Sequence, residues 1–220
     1  MCSSLRGALK RLKIMASNYM DIAFGENAKA EQERLGSSEA YQRMADKNPD
    51  QSRLSIRETQ YISQRDSFYL STVGENGWPY VQFRGGPRGF LKVIDESTLA
   101  FADFRGNMQY ISTGNMKANG KAALILLDYP TRTRVKIWAE TELVEASERP
   151  DLLEKLIDPD YEAQVERIMI FHIKAFNWNC PQHITPKFTF EEMKAMVREN
   201  PELMKALLAD DSSDAQTESR

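Results

Sequence analysis

The chain has 220 residues, with 29 basic and 32 acidic side chains and a formal net charge of −3. That length suits one domain with helical appendages, and the charge balance speaks against bulk attraction to nucleic acid or to an anionic membrane. Two cysteines, Cys2 and Cys180, make no disulfide framework, and two histidines, His172 and His183, leave little for a metal; a reducing cytoplasm is expected and a metal site is not. The longest apolar runs, such as 122–127, are far too short to span a bilayer.

Residues 1–20 read as a basic arm without order. Arg6, Lys10, Arg11 and Lys13 come with no acid before Ser17, as at the start of a transit peptide or an amphipathic arm, and the apolar core of a secretory signal is missing. Met1 and Met15 are both candidate starts. A helical extension is expected over 21–66: an Ala, Glu, Gln and Arg-rich stretch from Asp21 to Arg43, a break at Asn48-Pro49-Asp50, and a second helix from Ser55 to Arg65 with Ser55 and Glu58 spaced as a capping box.

The period then changes from helix to strand. Ser67–Val73 and Trp78–Arg84 flank Gly74-Glu75-Asn76-Gly77, whose Asn-Gly chemistry makes a hairpin. The strand continues at Phe90–Ile94 after the kink Gly85-Gly86-Pro87-Arg88-Gly89, turns at 95–98 and returns at Leu99–Phe104. A helix is expected over Asn107–Ala118, ended by Asn119-Gly120. Strands at Ala122–Asp128 and Arg132–Glu145 follow, then a helix at Asp151–Ile157 led by Pro150, and a last strand at Arg167–Phe176. Tight turns between successive strands predict antiparallel pairing, and strand–helix alternation is lacking, so the expected fold is mainly β with flanking helices: a six-stranded antiparallel barrel over 67–188. Helices are expected over 189–208, with Met193, Met196 and Met204 as a packing face, and a disordered acidic tail over 209–220.

Four places carry candidate chemistry. At period two, Trp78, Tyr80, Gln82 and Arg84 share one strand face, which reads either as a pocket floor or as a solvent face; Pro79, Val81 and Phe83 share the other, expected in the core. The Gly85-Gly86-Pro87 bend permits close approach of a ligand, or is a simple bulge. Arg105-Gly106-Asn107 joins a strand end to a helix start, where free N–H groups and an arginine suit a phosphate; Asn107 as a plain N-cap is the alternative. Arg132, Arg134 and Lys136 project from one strand face, as an anion site or as a charged edge. Together they predict that Arg84, Arg105 and Arg134 converge on one hollow. Cys180-Pro181-Gln182-His183 lacks the further ligands zinc needs and nothing evident orients its histidine as a base.

The segments FRGGPRGFLKV, LAFADFRGN and LLDYPTRTRVKIW, in this order, resemble the pyridoxamine 5'-phosphate oxidase-like flavoproteins. More narrowly, Asn179–Pro186 (NCPQHITP), with Asp21–Phe24 and Arg34–Ser37, is similar to a bacterial branch of that superfamily. The resemblance implies an FMN-binding split barrel and a homodimer with flavin at its interface. By position it implies that Gln82, Phe83 and Arg84 line the flavin, and that Asp103 and Phe104 end the next strand beside the ring. Arg105, Asn107, Met108 and Gln109 would meet the phosphate. Arg132 and Arg134 would reach the ring of the other subunit, and Gln182, His183 and Lys187 would close the site. Met108 and Gln109 replace the basic pair of the oxidase proper, which argues against pyridoxamine phosphate as substrate. The expected function is FMN-dependent electron transfer with a small organic substrate, a nicotinamide being the candidate donor. The alternative is a flavin carrier or sensor dimer without turnover. A haem-handling barrel with His183 as axial ligand is the third reading.

Overall fold

The strand at 67–73 alternates half-exposed and buried side chains, as a strand with one face on a core does. The computed structural model describes residues 18–48, 50–179 and 181–200, with residues 202 and 205. The basic arm as far as Ser17, Cys180, Met204 and the acidic tail from Ala209 lie outside the described residues.

Among the described residues four helices precede the sheet: α1 (Tyr19–Ala23), α2 (Glu26–Arg34), α3 (Ser38–Lys47) and α4 (Ile56–Ser63). The single helix expected from Asp21 to Arg43 is thus three, because Gly25 and Gly36 interrupt it; Gly36 has φ +75°, a left-handed turn. The capping box at Ser55 and Glu58 is present. Glu58 is buried and does more than cap: its second oxygen accepts the Trp178 indole N–H at 2.7 Å. Burial pushes this carboxyl up, but the bonds from Ser55, Trp178 and the backbone outweigh it, and its pKa lies below the ordinary value.

Seven strands follow: β1 (Ser67–Val73), β2 (Pro79–Gly85), β3 (Lys92–Asp95), β4 (Thr98–Phe104), β5 (Lys121–Asp128), β6 (Thr133–Glu145) and β7 (Val165–Trp178), with α5 (Ile111–Asn119) after β4 and α6 (Pro150–Leu156) after β6. They form one sheet in the order β2-β1-β5-β6-β7-β4-β3, antiparallel in the β1/β2, β1/β5, β3/β4, β4/β7 and β6/β7 pairs. The count is seven where the sequence suggested six. The glycine kink explains it: β2 and β3 are separate strands at opposite ends of the sheet order, where the sequence read β3 as a continuation. The kink is packed on its own chain. Gly86 and Gly89 donate to the Asp66 and Arg65 carbonyls, Gly89 has φ +76°, and a Cβ there would lie 2.8 Å from the Ser63 carbonyl oxygen.

The sheet is rolled. Arg84 on β2 reaches Asp103 on β4 at 2.7 Å, although four strands separate β2 from β4 in the order. The interior holds Phe68, Leu70, Leu124, Leu126, Val135, Ile137, Met169 and Phe171, with Phe68, Phe90 and Phe101 in mutual ring contact. A second cluster lies under α6, and a third joins Tyr19 and Met20 of α1 to Ala175 and Trp138.

The faces of β2 are reversed from expectation. Val81 and Phe83 are 59% and 58% exposed, while Tyr80, Gln82 and Arg84 turn inward. Strand β2 is an edge whose inner neighbour is the polar cluster at Asp103, so its apolar side chains take the outer face. There Phe83 pairs with Tyr69, and Tyr69 with Ile125 on β5, in one cross-strand row; Phe83 and Tyr69 meet edge to face at 5.6 Å.

The described chain divides into two units, 128–133 with the residues from 181 onward forming the second, and the rest the first. In the second unit, α7 (Phe190–Glu199) starts with a capping box from Thr189 and Glu192, and the Lys187 ammonium sits 4.9 Å from the Tyr129 ring.

Candidate functional site

Strand β4 ends in Asp103-Phe104, and the chain reaches α5 only at Ile111, four residues later than Asn107, where the sequence placed the helix start. The connection is bent sharply. Met108 and Tyr110 have φ of 58° and 51°, left-handed conformations that cost a non-glycine residue about 1 kcal/mol or more each. Asn107 is not the N-cap; its side chain accepts from the Gln109 N–H at 3.2 Å. Tyr110 holds the N-cap position and makes no side-chain cap, so the first-turn N–H groups of α5 face outward with their partial positive charge.

A cavity of about 50 Å³ lies against this turn. Its walls include Gln82 and Arg84 from β2, Asp103 and Phe104 from β4, Asn107, Met108 and Gln109 from the turn, and Glu166 from β7. It shares Tyr80 and Ile111 with a wider hollow of about 560 Å³ beside the β1–β2 hairpin, where Trp78 is 74% exposed. Gly106 borders the small cavity, and a Cβ there would touch nothing within 4 Å.

The charges are dense. Arg84 donates to Asp103 Oδ1 at 2.7 Å, and Arg167 Nε lies 3.9 Å from Asp103 Oδ2. Burial pushes the Asp103 carboxyl above its ordinary value, against the opposite pull of Arg84 and then Arg167. Arg167 also donates to Thr113 Oγ1 in the first turn of α5 and to Glu166 Oε2, each at 2.9 Å. Glu166 Oε1 accepts the Tyr110 hydroxyl at 2.9 Å and lies 3.8 Å from Arg105 Nε. The buried Ser112 hydroxyl donates to Gln82 Oε1 at 2.9 Å. The Nε atoms of Arg84 and Arg167 are both buried and neither has a hydrogen-bond acceptor in the chain.

Seven sequence-predicted residues line the cavity: Gln82, Arg84, Asp103, Phe104, Asn107, Met108 and Gln109. Arg105 stands at its rim, bonded to Gln164 at 3.2 Å and close to Glu166. Phe83 points to the outer face. Arg134 does not line the cavity, so the expected meeting of Arg84, Arg105 and Arg134 is corrected: of the arginines only Arg84 lines it, and Arg167 stands behind the wall, bonded to Thr113 and Glu166 and 3.9 Å from Asp103. Arg132 is exposed in a left-handed turn (φ 53°). Gln182, His183 and Lys187 are exposed in the second unit, His183 with φ 62°. Sequence reasoning missed Tyr110, Ser112, Thr113, Glu166 and Arg167. The last two had a signal: two charges lead directly into the apolar run Ile168–Phe171.

The chain is thus a rolled antiparallel sheet with a charged hollow beside an uncapped helix start. The family model for pyridoxamine 5'-phosphate oxidase matches residues 56–179, more than half of the chain. The chain belongs to the pyridoxamine 5'-phosphate oxidase family. No curated protein matches it. Among solved structures it is similar to an FMN-binding protein from Syntrophomonas wolfei (18% identity over 71% of this chain and 98% of that one, TM-score 0.46). It is also similar to HupZ of Group A Streptococcus (13%, 61% and 100%, TM-score 0.47) and to the heme storage protein HutZ of Vibrio cholerae (14%, 57% and 94%, TM-score 0.36). The family rests on the sequence model, and these likenesses add no argument to it.

Proposed function

We propose that the cavity lined by Arg84 and the turn before α5, with Arg105 at its rim and Arg167 behind its wall, takes the phosphate of FMN and that the protein uses this flavin to move an electron pair to or from a small organic molecule. The observation that carries the reading is the pair of buried guanidinium Nε donors without acceptors, set beside the uncapped start of α5. Such donors cost free energy until an acceptor arrives, and a phosphate is an acceptor of the right charge. The donor set fits: arginine side chains, helix N–H groups, and the hydroxyls of Ser112 and Thr113 nearby. Arg84, Arg105 and Arg167 would neutralise the phosphate, and Gln82 and Phe104 would lie along the ligand. The small cavity has room for a compact anion but not for a ring, and the adjoining 560 Å³ hollow has room for a flat one. When bound, FMN supplies hydride or single-electron chemistry; the protein supplies charge, orientation and exclusion of water.

The partner in this reading is a second copy of the chain. Support comes from the row of Phe83, Tyr69 and Ile125, continued by exposed Val81, on the outer face of an edge strand. A monomeric soluble domain gains nothing by presenting such a row to water.

Purified protein is expected to be yellow, or to become so on incubation with FMN, and to release FMN on denaturation. Arg105→Ala is expected to weaken retention. Colourless protein that does not take up added FMN defeats the reading. Reduction of the bound flavin by a nicotinamide, followed by substrate-dependent reoxidation, supports an oxidoreductase; bound flavin that no donor or acceptor turns over would leave a carrier or sensor instead.

A further inference from the structure

Strand β7 contains an irregularity at the cavity. Asp103 faces Arg167 and Phe104 faces Val165, so Glu166 is the extra residue between two consecutive pairs. A bulge bends a strand and re-aims its side chain. Here it sets two successive residues side by side, Glu166 lining the cavity and Arg167 bonded to it at 2.9 Å, where a regular strand would send them to opposite faces. The Glu166 side chain is 17% exposed and its carboxylate gathers three groups around the cavity: the Tyr110 hydroxyl at 2.9 Å, the Arg167 guanidinium at 2.9 Å and Arg105 at 3.8 Å. It also holds the Tyr110 phenol above its ordinary pKa through that hydrogen bond.

We infer that Glu166 is an internal competitor for the anion this cavity binds: its carboxylate satisfies Arg105, Arg167 and Tyr110 when no ligand does, and an incoming phosphate must displace it. This rests on the reading of the cavity as a phosphate site. The physical reason is charge. Arg84, Arg105 and Arg167 face two carboxylates, Asp103 and Glu166. Both line the cavity, but Asp103 is 6% exposed and held between Arg84 and Arg167, whereas Glu166 is 17% exposed and bonds to the turn that carries the α5 start. A dianion beside an ionised glutamate is repelled over a few ångströms in a medium poorer than water, and it competes for the same N–H donors. Glu166 therefore lowers affinity for the phosphate end of a ligand and leaves affinity for an uncharged ring unaltered.

The test compares wild type with Glu166→Gln in full-length protein, titrated with FMN, riboflavin and inorganic phosphate. The substitution keeps the side-chain volume and removes the charge. The expected result is FMN and inorganic phosphate bound about tenfold more tightly by the variant, with riboflavin unchanged. Weaker FMN binding by the variant means that Glu166 positions the arginines, and overturns the inference. Equal FMN affinity, or parallel gains for FMN and riboflavin, also overturns it. Should E166Q not fold, E166A is read in the same way. Wild type without flavin affinity, together with tighter inorganic phosphate binding by E166Q, sinks the flavin reading and keeps this one; flavin bound equally by both proteins does the reverse.

Discussion

Arg84 and Asp103 form the innermost ion pair of the cavity, with side chains 16% and 6% exposed. Removing one partner of such a pair leaves the other charge in a poor solvent, so Arg84→Met is expected to destabilise the fold by about 3 kcal/mol, read by denaturant unfolding. A loss under about 1 kcal/mol would mean that water reaches Asp103. Glu58 gives the second prediction. Its pKa is lowered on folding, so between its folded value and the ordinary 4.5 the unfolded chain binds more protons. The stability it contributes is complete above pH 4.5 and is lost as pH falls through the lowered value. Glu58→Gln should flatten the acid limb of the stability curve below pH 4.5 while costing stability at neutral pH, where Trp178 loses a charged acceptor. An unchanged acid limb would contradict this. At this scale the sequence was legible where chemistry is local: Ser55 and Glu58 are a capping box by spacing alone. It could not show that Trp178, 120 positions away, shares that carboxylate. Nor could it show that Arg167 reaches Thr113, since both contacts depend on the closed sheet.

Among the elements, the glycine kink between β2 and β3 decides the topology. Gly89 combines a left-handed φ with a carbonyl oxygen 2.8 Å from where a Cβ would stand. Gly89→Ala is expected to cost about 2 kcal/mol or more, against near neutrality at an open glycine such as Gly25, compared by thermal unfolding. Equal effects at the two sites would show that the kink relaxes freely. Edge strand β2 presents Phe83 at 58% exposure, and Phe83→Glu is expected to convert a dimer to a monomer by light scattering without loss of helix or strand signal. A wild-type monomer, or a variant that still dimerises, would move the interface elsewhere. Strand positions were legible because period-two patterns and Asn-Gly turns are set by neighbours a few residues away. Which face of β2 is buried was not, because Tyr80-Val81-Gln82-Phe83 offers an apolar set and a mixed set, and only the polar cluster across the rolled sheet selects the mixed one. The start of α5 was misplaced for a related reason: Asn107 has the composition of an N-cap, but two left-handed residues carry the chain past it.

For the whole molecule, a seven-stranded sheet is rolled so that Gln82, Arg84, Asp103, residues 106–110 and Glu166 meet, although they are far apart in sequence. The folding energy comes from the aromatic and aliphatic interior, and the cost of gathering buried arginines and a strained turn at one rim is borne by it. No described helix is long and apolar enough to cross a membrane. The family places the chain among barrels of one construction; in this member the charged cavity is proposed to take the phosphate of FMN. The most direct test of that is a fluorescence titration of the apoprotein with FMN at low and at moderate salt. The account predicts saturable quenching with one flavin per chain and an affinity that falls as salt rises. A titration without saturation, or one indifferent to both the phosphate and the salt, would contradict it.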